Sequence, residues 1–505
     1  MRFPLSKFFV LSSAMLAGLL TPQAQAKTFV VNNTDDTFDD ACNANCSLRD
    51  AMREARVTAG SHIIRFAPSV FNRPQTIKLT AGGGFILERA NITIEGPANA
   101  PLTLDSDDRS RHFTCLSSDL KISNLILTHG SGNFSANLHN YMGGSIVAQR
   151  GSVSLDRCVL SENRAVNGGA ICNLGARLEM TNCTVVGNTA SGLNLTGLRT
   201  TPSAGAIVNS GVNSLDGSAV LTHCTIVGNK ILLNDDQTSG TGGIENYTVL
   251  QLSNTLMANN VAVHRSGTAL NLFDVKGRVS SQGFNLIRTP GTLASGGSEG
   301  YVGTDKLGLD PLLETNNGVP VLKDNGGETL TIALLANSPA VNAGNSTITQ
   351  DARGALRPSG GAVDIGAYER QTDTKAQLFT LEVNPKRPFI GDTIRATVRA
   401  IVPDVPGTTI SYQWTRVRGR GEVTVLDETG DTLQASAALV KVGDRIILRA
   451  TIATPSIGSL SRSEGVVIVD TPIKITEFNF RPRTPYAFET LVATVKTEFL
   501  VGVKP

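Results

Sequence analysis

The cysteines are the residues of this chain with the widest range of possible chemistry. Two of them, Cys172 and Cys183, lie in the stretch NGGAICNLGARLEMTNCTVVGN, which has asparagine-bounded glycine turns and little charge. A thiol in such a stretch could be half of a disulfide, a nucleophile, a metal ligand or a small apolar filler. The elements that position each cysteine decide between these possibilities.

Acidic clusters are the second source of possible chemistry, because converging carboxylates cleave glycosidic bonds and bind calcium. The clusters are Asp35/Asp36, Asp39/Asp40, Asp105/Asp107/Asp108 and Asp235/Asp236. Each is local in sequence, and we expect each to lie in a solvated loop. The most suggestive stretch is DSDDRSRHF, which joins three acids to Arg109, Arg111 and His112 and which we interpret as a charged turn.

The remaining polar motifs predict no cofactor and no metal. His129 and His139 have no carboxylate or cysteine beside them in the sequence, so we expect them to cap turns. The sequence contains neither a glycine-rich phosphate loop nor a nucleophile elbow.

Five segments with one apolar pattern recur along the chain and align without gaps. They are LKISNLILTHG (120–130), VSLDRCVLSEN (153–163), LEMTNCTVVGN (178–188), AVLTHCTIVGN (219–229) and LQLSNTLMANN (250–260). Glycine turns such as NGGAICN and SAGAIVN recur between them. Apolar residues alternate within each copy, which predicts strands with one inward face. Such repeats with irregular insertions predict a solenoid of stacked strands, a parallel β-helix.

Stacking the five copies places equivalent residues in columns. Two columns should face the interior: Leu127, Leu160, Val185, Ile226 and Met257, and Leu125, Cys158, Cys183, Cys224 and Thr255. Two columns should face outward: Lys121, Ser154, Glu179, Val220 and Gln251, and Ile126, Val159, Thr184, Thr225 and Leu256. A corner column of Asn163, Asn188, Asn229 and Asn260 should form an amide ladder, because neighbouring rungs lie ~4.8 Å apart.

This phase predicts that Cys158, Cys183 and Cys224 are buried free thiols, and Cys115, two residues after Phe113, should lie in the interior as well. Neighbouring rungs hold Cβ atoms near the strand spacing of ~4.8 Å, whereas a disulfide prefers ~3.8 Å. A disulfide between rungs is therefore the less favoured alternative. Cys172 lies in a different phase and should face outward.

The stretch CNANCSLRDAMREAR predicts a helical cap for the solenoid, whose open end would otherwise expose strand edges and apolar interior. Ser47 and Asp50 form a capping signal, and an apolar face follows along the helix. We predict a disulfide between Cys42 and Cys46 that holds this cap. A metal site is the alternative, but two cysteines without further ligands nearby make a poor zinc site.

The N-terminus predicts export. MRFPLSK carries two basic residues, Phe8 to Leu20 is a short apolar run, and Ala24-Gln25-Ala26 is an A-x-A site. This order is typical of a Sec-type signal peptide over 1–26, with the mature chain starting at Lys27 and secreted or held at the cell surface. No later segment is long and apolar enough for a transmembrane span. Lys+Arg 45 against Asp+Glu 43 is balanced, which argues against a nucleic-acid partner.

Several motifs resemble two groups of bacterial surface proteins. CSLRDAMREA, HIIRFAPSVF and ITIEGP are similar to the N-terminal region of CSLREA-domain proteins, with Asp50 in place of the usual Glu. SQGFNLI, DPLL, DNGGETLTIALLANSPAVNAGN, DARGALRP and VDIGAYE resemble the choice-of-anchor Q family. The GGAI turns resemble the repeats of chlamydial polymorphic outer-membrane proteins. These resemblances imply an exported, right-handed parallel β-helix at the cell surface.

The acids of VDIGAYE, Asp364 and Glu369, could form a catalytic carboxylate pair. Three arginines lie close in the sequence, so we favour ion pairing instead. With SPAVNAGN, this stretch is expected to form the last coils and the C-terminal closure of the solenoid. The predicted organisation is then a cap with first strands over 27–80 and a β-helix over 81–370.

The pattern changes after Thr374. LEVNPKRPFIGDTIRATV (381–398) matches FNFRPRTPYAFETLVATV (478–495) at a constant offset of 97 residues. A period near ~100 residues predicts an immunoglobulin-like β-sandwich over 375–471 and a partial, truncated second repeat over 472–505. Trp414, the only tryptophan, is expected in the core of the first repeat.

Two function classes remain. The signal peptide, the long regular solenoid and the appended sandwich favour a surface protein for adhesion or display, with glycans or a host or neighbouring cell surface as partners. The alternative is a polysaccharide lyase or glycoside hydrolase, since extracellular β-helices carry such enzymes. Neither outward column offers converging acids, which favours the non-catalytic class.

Overall fold

The computed structural model describes residues 26–98, 100–132, 141–192, 202–212, 217–236, 240–270, 273–291, 300–372, 377–402, 404–405, 407–419, 421–455, 458–469, 473–481 and 492–499. For residues 377–379, 473–481 and 492–499 the description covers the backbone only. The predicted signal peptide lies outside the described residues except for Ala26, and His139 lies outside them as well.

The chain starts with a capped first coil. Its elements are β1 (Thr28–Val31), α1 (Leu48–Val57), β2 (Ser61–Phe66), β3 (Gln75–Lys78), β4 (Phe85–Glu88), β5 (Asn91–Glu95) and β6 (Leu102–Asp105). Helix α1 begins where the sequence predicts, because the Ser47 and Asp50 side chains each accept a hydrogen bond from the other's backbone amide. Its predicted apolar face is buried, and the predicted disulfide joins Cys42 to Cys46 just before it.

The coils of the solenoid follow. Their strands are β7 (Phe113–Ser123), β8 (Leu125–Thr128), β9 (Ile146–Asp156), β10 (Val159–Ser161), β11 (Arg164–Ala165), β12 (Ile171–Leu174), β13 (Arg177–Thr181), β14 (Thr184–Val186), β15 (Thr189–Ser191), β16 (Ile207–Ser210), β17 (Ser218–Thr222), β18 (Thr225–Val227), β19 (Lys230–Leu233), β20 (Ile244–Asn246), β21 (Val249–Ser253), β22 (Leu256–Ala258), β23 (Val261–His264), β24 (Ala269–Leu270), β25 (Val275–Lys276), β26 (Ser280–Ser281), β27 (Leu286–Ile287) and β28 (Lys306–Leu307).

Successive coils add strands to three sheets that run along the molecule. The first sheet follows the order β1-β2-β5-β7-β9-β12-β16-β20-β25, with β4, β13, β17, β21 and β26 attached to it. The second follows β28-β27-β22-β18-β14-β10-β8-β6-β3, and the third follows β11-β15-β19-β23-β24. The described pairings are parallel except for β23 with β24. This topology is the predicted parallel β-helix.

The register confirms the repeat alignment. Val185 pairs with Leu160 on one side and Ile226 on the other, and both predicted interior columns are fully buried. The alternation of apolar residues is interrupted at Asn182, which forms a corner with left-handed backbone, φ 53°. Equivalent residues of the other coils share this conformation, with φ between 50° and 54°. We call Asn124, Arg157, Asn182, His223 and Asn254 the left-handed corner.

The predicted amide ladder is also present. The Nδ2 groups of Asn163, Asn188 and Asn229 each donate to the next Oδ1 at 2.9 Å, and Asn260 continues the ladder to Asp274 at 2.8 Å. Each amide also donates to a carbonyl of the preceding coil. A second ladder, not predicted, runs through Asn173, Asn209 and Asn246. These side chains form hydrogen bonds with backbone groups at the corners, which would otherwise have no partner in the parallel strand ladders.

The C-terminal part of the predicted solenoid differs from expectation. The described parallel coils end at β28, and residues 310–370 contain the antiparallel hairpin of β29 (Thr315–Asn316) and β30 (Val319–Pro320) and isolated antiparallel bridges. This lateral segment, residues 310–370, lies along the left-handed corner instead of extending the stack. Asn182 Nδ2 donates to Gln350 O at 3.1 Å, and Gly366 N donates to Asn254 O at 2.8 Å.

The lateral segment also corrects the second outward column. The side chains of that column point away from the solenoid interior, as predicted. They are nevertheless all buried: Ile126, Val159, Thr184, Thr225 and Leu256. Apolar residues of the lateral segment pack on this face of the second sheet, among them Ile332, Leu334 and Ile365. The first outward column, from Lys121 to Gln251, remains exposed or half-exposed. The outer face of the second sheet is therefore an internal packing surface.

Cys172 points away from the solenoid interior, as predicted, but it is not exposed. It lies beside Val147 and Val208 on the neighbouring strands. Ala204 and Met142 pack over this small cluster. The predicted direction of the side chain is right, and the covering turns explain its burial.

Seven strands after the lateral segment form a β-sandwich. They are β31 (Gln377–Asn384), β32 (Thr393–Ile401), β33 (Thr409–Arg418), β34 (Glu422–Val425), β35 (Thr432–Gln434), β36 (Arg445–Thr454) and β37 (Gly458–Val467). The sheets follow β31-β32-β35 and β34-β33-β36-β37, with Trp414 fully buried between them. The predicted second repeat appears as the hairpin of β38 (Ile473–Arg481) and β39 (Val492–Phe499). It repeats the register shift of β31 and β32 at the same offset of 97.

Candidate functional site

The free thiols have no reactive setting. Cys115, Cys158, Cys183 and Cys224 are fully buried in the solenoid interior as free thiols, as predicted. Burial raises the pKa of Cys115 and of Cys172 to about 12. A thiol is nucleophilic and binds metal as a thiolate, so these cysteines act as apolar packing groups. No cluster of His, Cys, Asp and Glu in the described part of the chain is arranged to hold a metal ion.

An ion network lies in the lateral segment, at the acids predicted to be either catalytic or ion-paired. Glu369 accepts hydrogen bonds from Arg357 Nη1 at 3.1 Å and from the backbone amides of Ser359 and Asp364 at 2.8 Å. Asp364 accepts from the amides of Asn342 and Arg370, each at 2.7 Å. Burial raises the pKa of both carboxyls, and the donors around them oppose that shift.

A second buried pair completes this network. Arg353 makes a two-point contact with Asp351 at 2.8 and 3.0 Å and lies over the Tyr368 ring at 3.9 Å. Arg353 also donates to Glu369 O at 2.6 Å. The two ion pairs are thus joined in one cluster with side chains at most 2% exposed. Ion pairing, the favoured sequence interpretation, is confirmed for Glu369, although its place is the side of the solenoid rather than its end.

The network is tied to the solenoid through His223 of the left-handed corner. Arg357 Nη1 lies 3.1 Å from His223 Nδ1. Since a guanidinium can only donate, Nδ1 is the acceptor and the imidazole is neutral with its proton on Nε2. Burial and the Arg357 charge lower the pKa of His223 to about 3. This buried cluster fastens the lateral segment to the β-helix.

The acids of DSDDRSRHF form a charged surface with residues from the next two coils. Asp105 Oδ1 lies 3.1 Å from His129 Nδ1, Asp108 pairs with Arg164 at 3.0 Å, and Asp107 pairs with Arg109 at 3.1 Å. We call Asp105, Asp107, Asp108, Arg109, His129 and Arg164 the corner patch. His129 has no carboxylate beside it in the sequence, but Asp105 lies beside it in the structure, because Asp105 pairs with Thr128 on the adjacent strand. The register therefore brings together residues that are distant in sequence.

The other two basic residues of this stretch do not join the corner patch. His112 is fully buried, with Nε2 donating to Leu104 O at 2.9 Å and Nδ1 accepting from Ser145 Oγ at 3.1 Å. Burial lowers the pKa of His112 to about 4, so it is neutral and structural. Arg111 reaches Met142 O at 3.0 Å beneath the turn that covers Cys172. The charged-turn interpretation thus holds for the acids and Arg109 but not for Arg111 and His112.

A groove at the N-terminal cap is the site that sequence reasoning missed. It lies between α1 and residues 81–87, with a volume of about 430 Å³. We call it the cap groove, lined by Phe38, Arg49, Met52, Arg53, Arg56, Ala81, Gly82, Gly84, Phe85, Ile86 and Leu87. Buried Met52 and Leu87 form its apolar floor, and Phe38 forms a wall that is 49% exposed.

Three arginines of α1 line the cap groove. Arg49 pairs with Asp36 at 2.7 and 2.9 Å and lies over Phe85, 5.2 Å from the ring centre. Arg53 lies over Phe38 at the same distance, and Arg56 donates to Ile86 O at 2.9 Å. The spacing of 49, 53 and 56 places the three on one face of a helix, which is the signal that the sequence offered. The far wall, from residues 81–87, gives no such signal.

The described part of the chain contains no helix with the length and apolar character that crossing a membrane requires. Comparison with known proteins adds no family: no protein-family model matches the sequence, and no curated protein matches it. The resemblance to CSLREA-domain and choice-of-anchor Q proteins therefore stays a prediction from motifs.

Proposed function

We propose that the chain is an exported protein, secreted or held at the cell surface, that acts in adhesion or display without catalysis. The observation that carries this proposal is the pairing of the acids. In the corner patch each carboxylate lies against a cationic or imidazole partner. In the lateral segment, Asp351, Asp364 and Glu369 are buried and hydrogen-bonded. Glycan cleavage instead needs two carboxylates that converge on an open cleft.

The architecture supports the same proposal. A solenoid supplies a long, regular, rigid surface, and an appended sandwich with a repeated hairpin suits a spacer or an auxiliary binding module. The A-x-A site and the motifs that resemble CSLREA-domain and choice-of-anchor Q proteins agree with export. Intact-mass analysis of exported protein is expected to place the mature start at Lys27.

Incubation of the purified mature protein with acidic and neutral polysaccharides, with and without calcium, tests the absence of catalysis. We expect retention on at least one polysaccharide and no new reducing ends or unsaturated products. Appearance of such products, and their loss in a variant of the corner patch, would overturn the proposal.

One observation favours a second candidate, a polysaccharide lyase or hydrolase. His129 is 45% exposed and held by Asp105, an arrangement in which a carboxylate orients an imidazole as a general base. If products appear, His129→Ala and Asp105→Asn should abolish them, while Arg177→Gln on the first sheet should not. Activity that survives both substitutions would exclude the corner patch as its source.

A further inference from the structure

We propose that the cap groove binds an acidic glycan, with an exposed arginine pair holding a uronate carboxylate. The inference rests on the proposed function, since it names the ligand class of a binding protein. The sequence motifs of the cap assign no ligand to this surface.

The groove combines an apolar floor with a cationic edge. Met52, Phe85 and Leu87 are at most 7% exposed and line the bottom, while Phe38 and Ile86 stand partly exposed at the sides. A volume of about 430 Å³ falls within the ~300–1,000 Å³ range of ligand sites. A ligand that fits must therefore present an apolar face together with a negative charge.

Arg49 is a fixed part of the wall. Its guanidinium is held by Asp36 and by Gly83 O at 2.8 Å, and its side chain is only 12% exposed. It therefore presents a flat, stacked surface over Phe85 rather than a free charge. The Asp36 carboxylate accepts hydrogen bonds from Arg49 and from the backbone amide of Ala81, the latter at 2.7 Å.

Arg53 and Arg56 provide the accessible charge. Arg53 pairs with Asp40 at 2.6 Å, but both side chains are about half exposed, at 43% and 58%. An exposed pair of this kind contributes little to stability, so a ligand carboxylate can replace Asp40. Arg56 is exposed and makes no ion pair with any described residue, and its guanidinium is oriented by Ile86 O. Arginine forks bind planar carboxylates in two-point contacts.

The groove edge favours a sugar over an extended acidic peptide. A peptide strand would need open backbone groups on β4 or the turn before it. On the groove side, Gly83 O and Ile86 O already accept hydrogen bonds from Arg49 and Arg56. What remains exposed is part of Phe38, with Arg53 over its ring, and the guanidinium groups of Arg53 and Arg56. These flat surfaces match the C–H face of a pyranose, and the uronate carboxylate supplies the negative charge.

Calorimetric titration of the mature protein with a galacturonate hexamer tests the proposal. The matched probes are its methyl ester, which has no charge, and hexaglutamate, which is an acidic peptide. We expect the galacturonate hexamer to bind at least tenfold more tightly than either matched probe. Equal binding of the ester, or tighter binding of hexaglutamate, would overturn the proposal.

Variants locate the site. Arg53→Gln with Arg56→Gln should weaken binding of the hexamer tenfold or more, because two charge-assisted contacts are lost. Arg65→Gln with Arg177→Gln is the matched control, since both arginines are exposed and ion-paired away from the groove. An equal loss in the control pair would indicate general charge attraction and would overturn the groove assignment. Thermal unfolding of each variant verifies that the fold is intact.

The outcomes separate this inference from the proposed function. Adhesion to polysaccharide that is unaffected by the groove variants would refute the groove and leave the adhesion proposal standing. Cleavage of the hexamer would refute the non-catalytic proposal. Whether binding of the hexamer depends on Arg53 and Arg56 would still test the groove assignment.

Discussion

Thr184 and Thr225 occupy paired positions on neighbouring coils, but their hydroxyls differ in surroundings. Thr225 Oγ1 accepts a hydrogen bond from Ala367 N at 2.9 Å, whereas Thr184 Oγ1 is buried without a partner among the described residues. Thr184→Val should therefore leave the free energy of unfolding unchanged or raise it by about 1 kcal/mol. Thr225→Val should lower it by about 1–3 kcal/mol, because the Ala367 amide loses its acceptor.

Urea unfolding of the two valine variants measures this difference. A loss of stability at Thr184 as large as that at Thr225 would contradict it. The sequence alone predicted that this column is exposed to solvent, whereas the structure shows that it is buried. The burial of Thr184 means that Thr184→Asp should be strongly destabilising, since it would place a charge beneath the lateral segment.

His223 predicts a pH dependence of stability. Burial, with the charge of Arg357, keeps its folded-state pKa at about 3, against 6.5 for an unperturbed histidine. Below pH 6.5 the unfolded chain takes up a proton that the folded chain does not, so the free energy of unfolding falls as the pH decreases. From this residue the loss between pH 7.5 and 5 is about 2 kcal/mol.

His223→Asn is the matched variant. Asparagine tolerates the left-handed backbone at this position, φ 51°, and already occupies the equivalent positions 182 and 254. Unfolding measured at pH 7.5 and 5 should show a loss about 2 kcal/mol smaller in the variant. The acids titrate in both proteins and cancel in this comparison. Identical pH dependence would show that His223 is not held neutral.

At the scale of the element, the asparagine ladder makes the next prediction. Asn188 donates to Leu160 O at 2.9 Å and to Asn229 Oδ1 at 2.9 Å, and it accepts from the amide and the side chain of Asn163. Asn188→Ala leaves several buried polar groups unsatisfied, each costing about 1–3 kcal/mol. We expect a total loss of at least about 3 kcal/mol by chemical denaturation. Thr189→Ala, on the outer side of the adjacent strand, should cost less than about 1 kcal/mol.

The strands of the five aligned copies were predictable because the side-chain period of a strand is two. That period determines which residues face inward and which residues pair, and the amide ladder follows from the same register. The lateral segment was not predictable in this way. Its polar contacts with the β-helix are hydrogen bonds at corner residues such as Asn182 and Asn254, and these leave no periodic pattern in the sequence.

One signal of the lateral segment was nevertheless present in the sequence. The second outward column holds Ile126, Val159 and Leu256, which are costly residues for a solvent-exposed strand face. The first outward column holds mostly polar residues and stays accessible. An apolar outward column in a solenoid therefore indicates a covering element, even where the element itself cannot be located.

At the scale of the whole molecule, the candidate sites join residues that are separated along the chain. The cap groove is formed by α1 and residues 81–87, and the corner patch is formed by residues of three coils. Helix α1 was predicted with its capping box and buried face, but the apolar side of the groove depends on where β4 lies. Only the stacked structure brings Phe85 under Arg49.

The solenoid and the sandwich have separate cores joined by polar contacts. Arg399 of β32 donates to Gly327 O at 2.6 Å and to Asp324 Oδ1 at 3.2 Å in the lateral segment. The core around Trp414 shares no residue with the solenoid core. Two cores without shared apolar packing should unfold as separate units.

This separation gives the last prediction, because each core carries its own reporter. Trp414 is the only tryptophan and is fully buried in the sandwich, while Cys158, Cys183 and Cys224 are fully buried in the solenoid. The sandwich core is much the smaller of the two, and hydrophobic stabilisation scales with buried apolar area. We therefore expect the red shift of Trp414 fluorescence at a lower denaturant concentration than the exposure of thiols to a thiol reagent. Trp414→Phe should abolish the first signal and leave the thiol transition in place. Coincident transitions would instead mean that the polar contacts of Arg399 couple the two units into one cooperative structure.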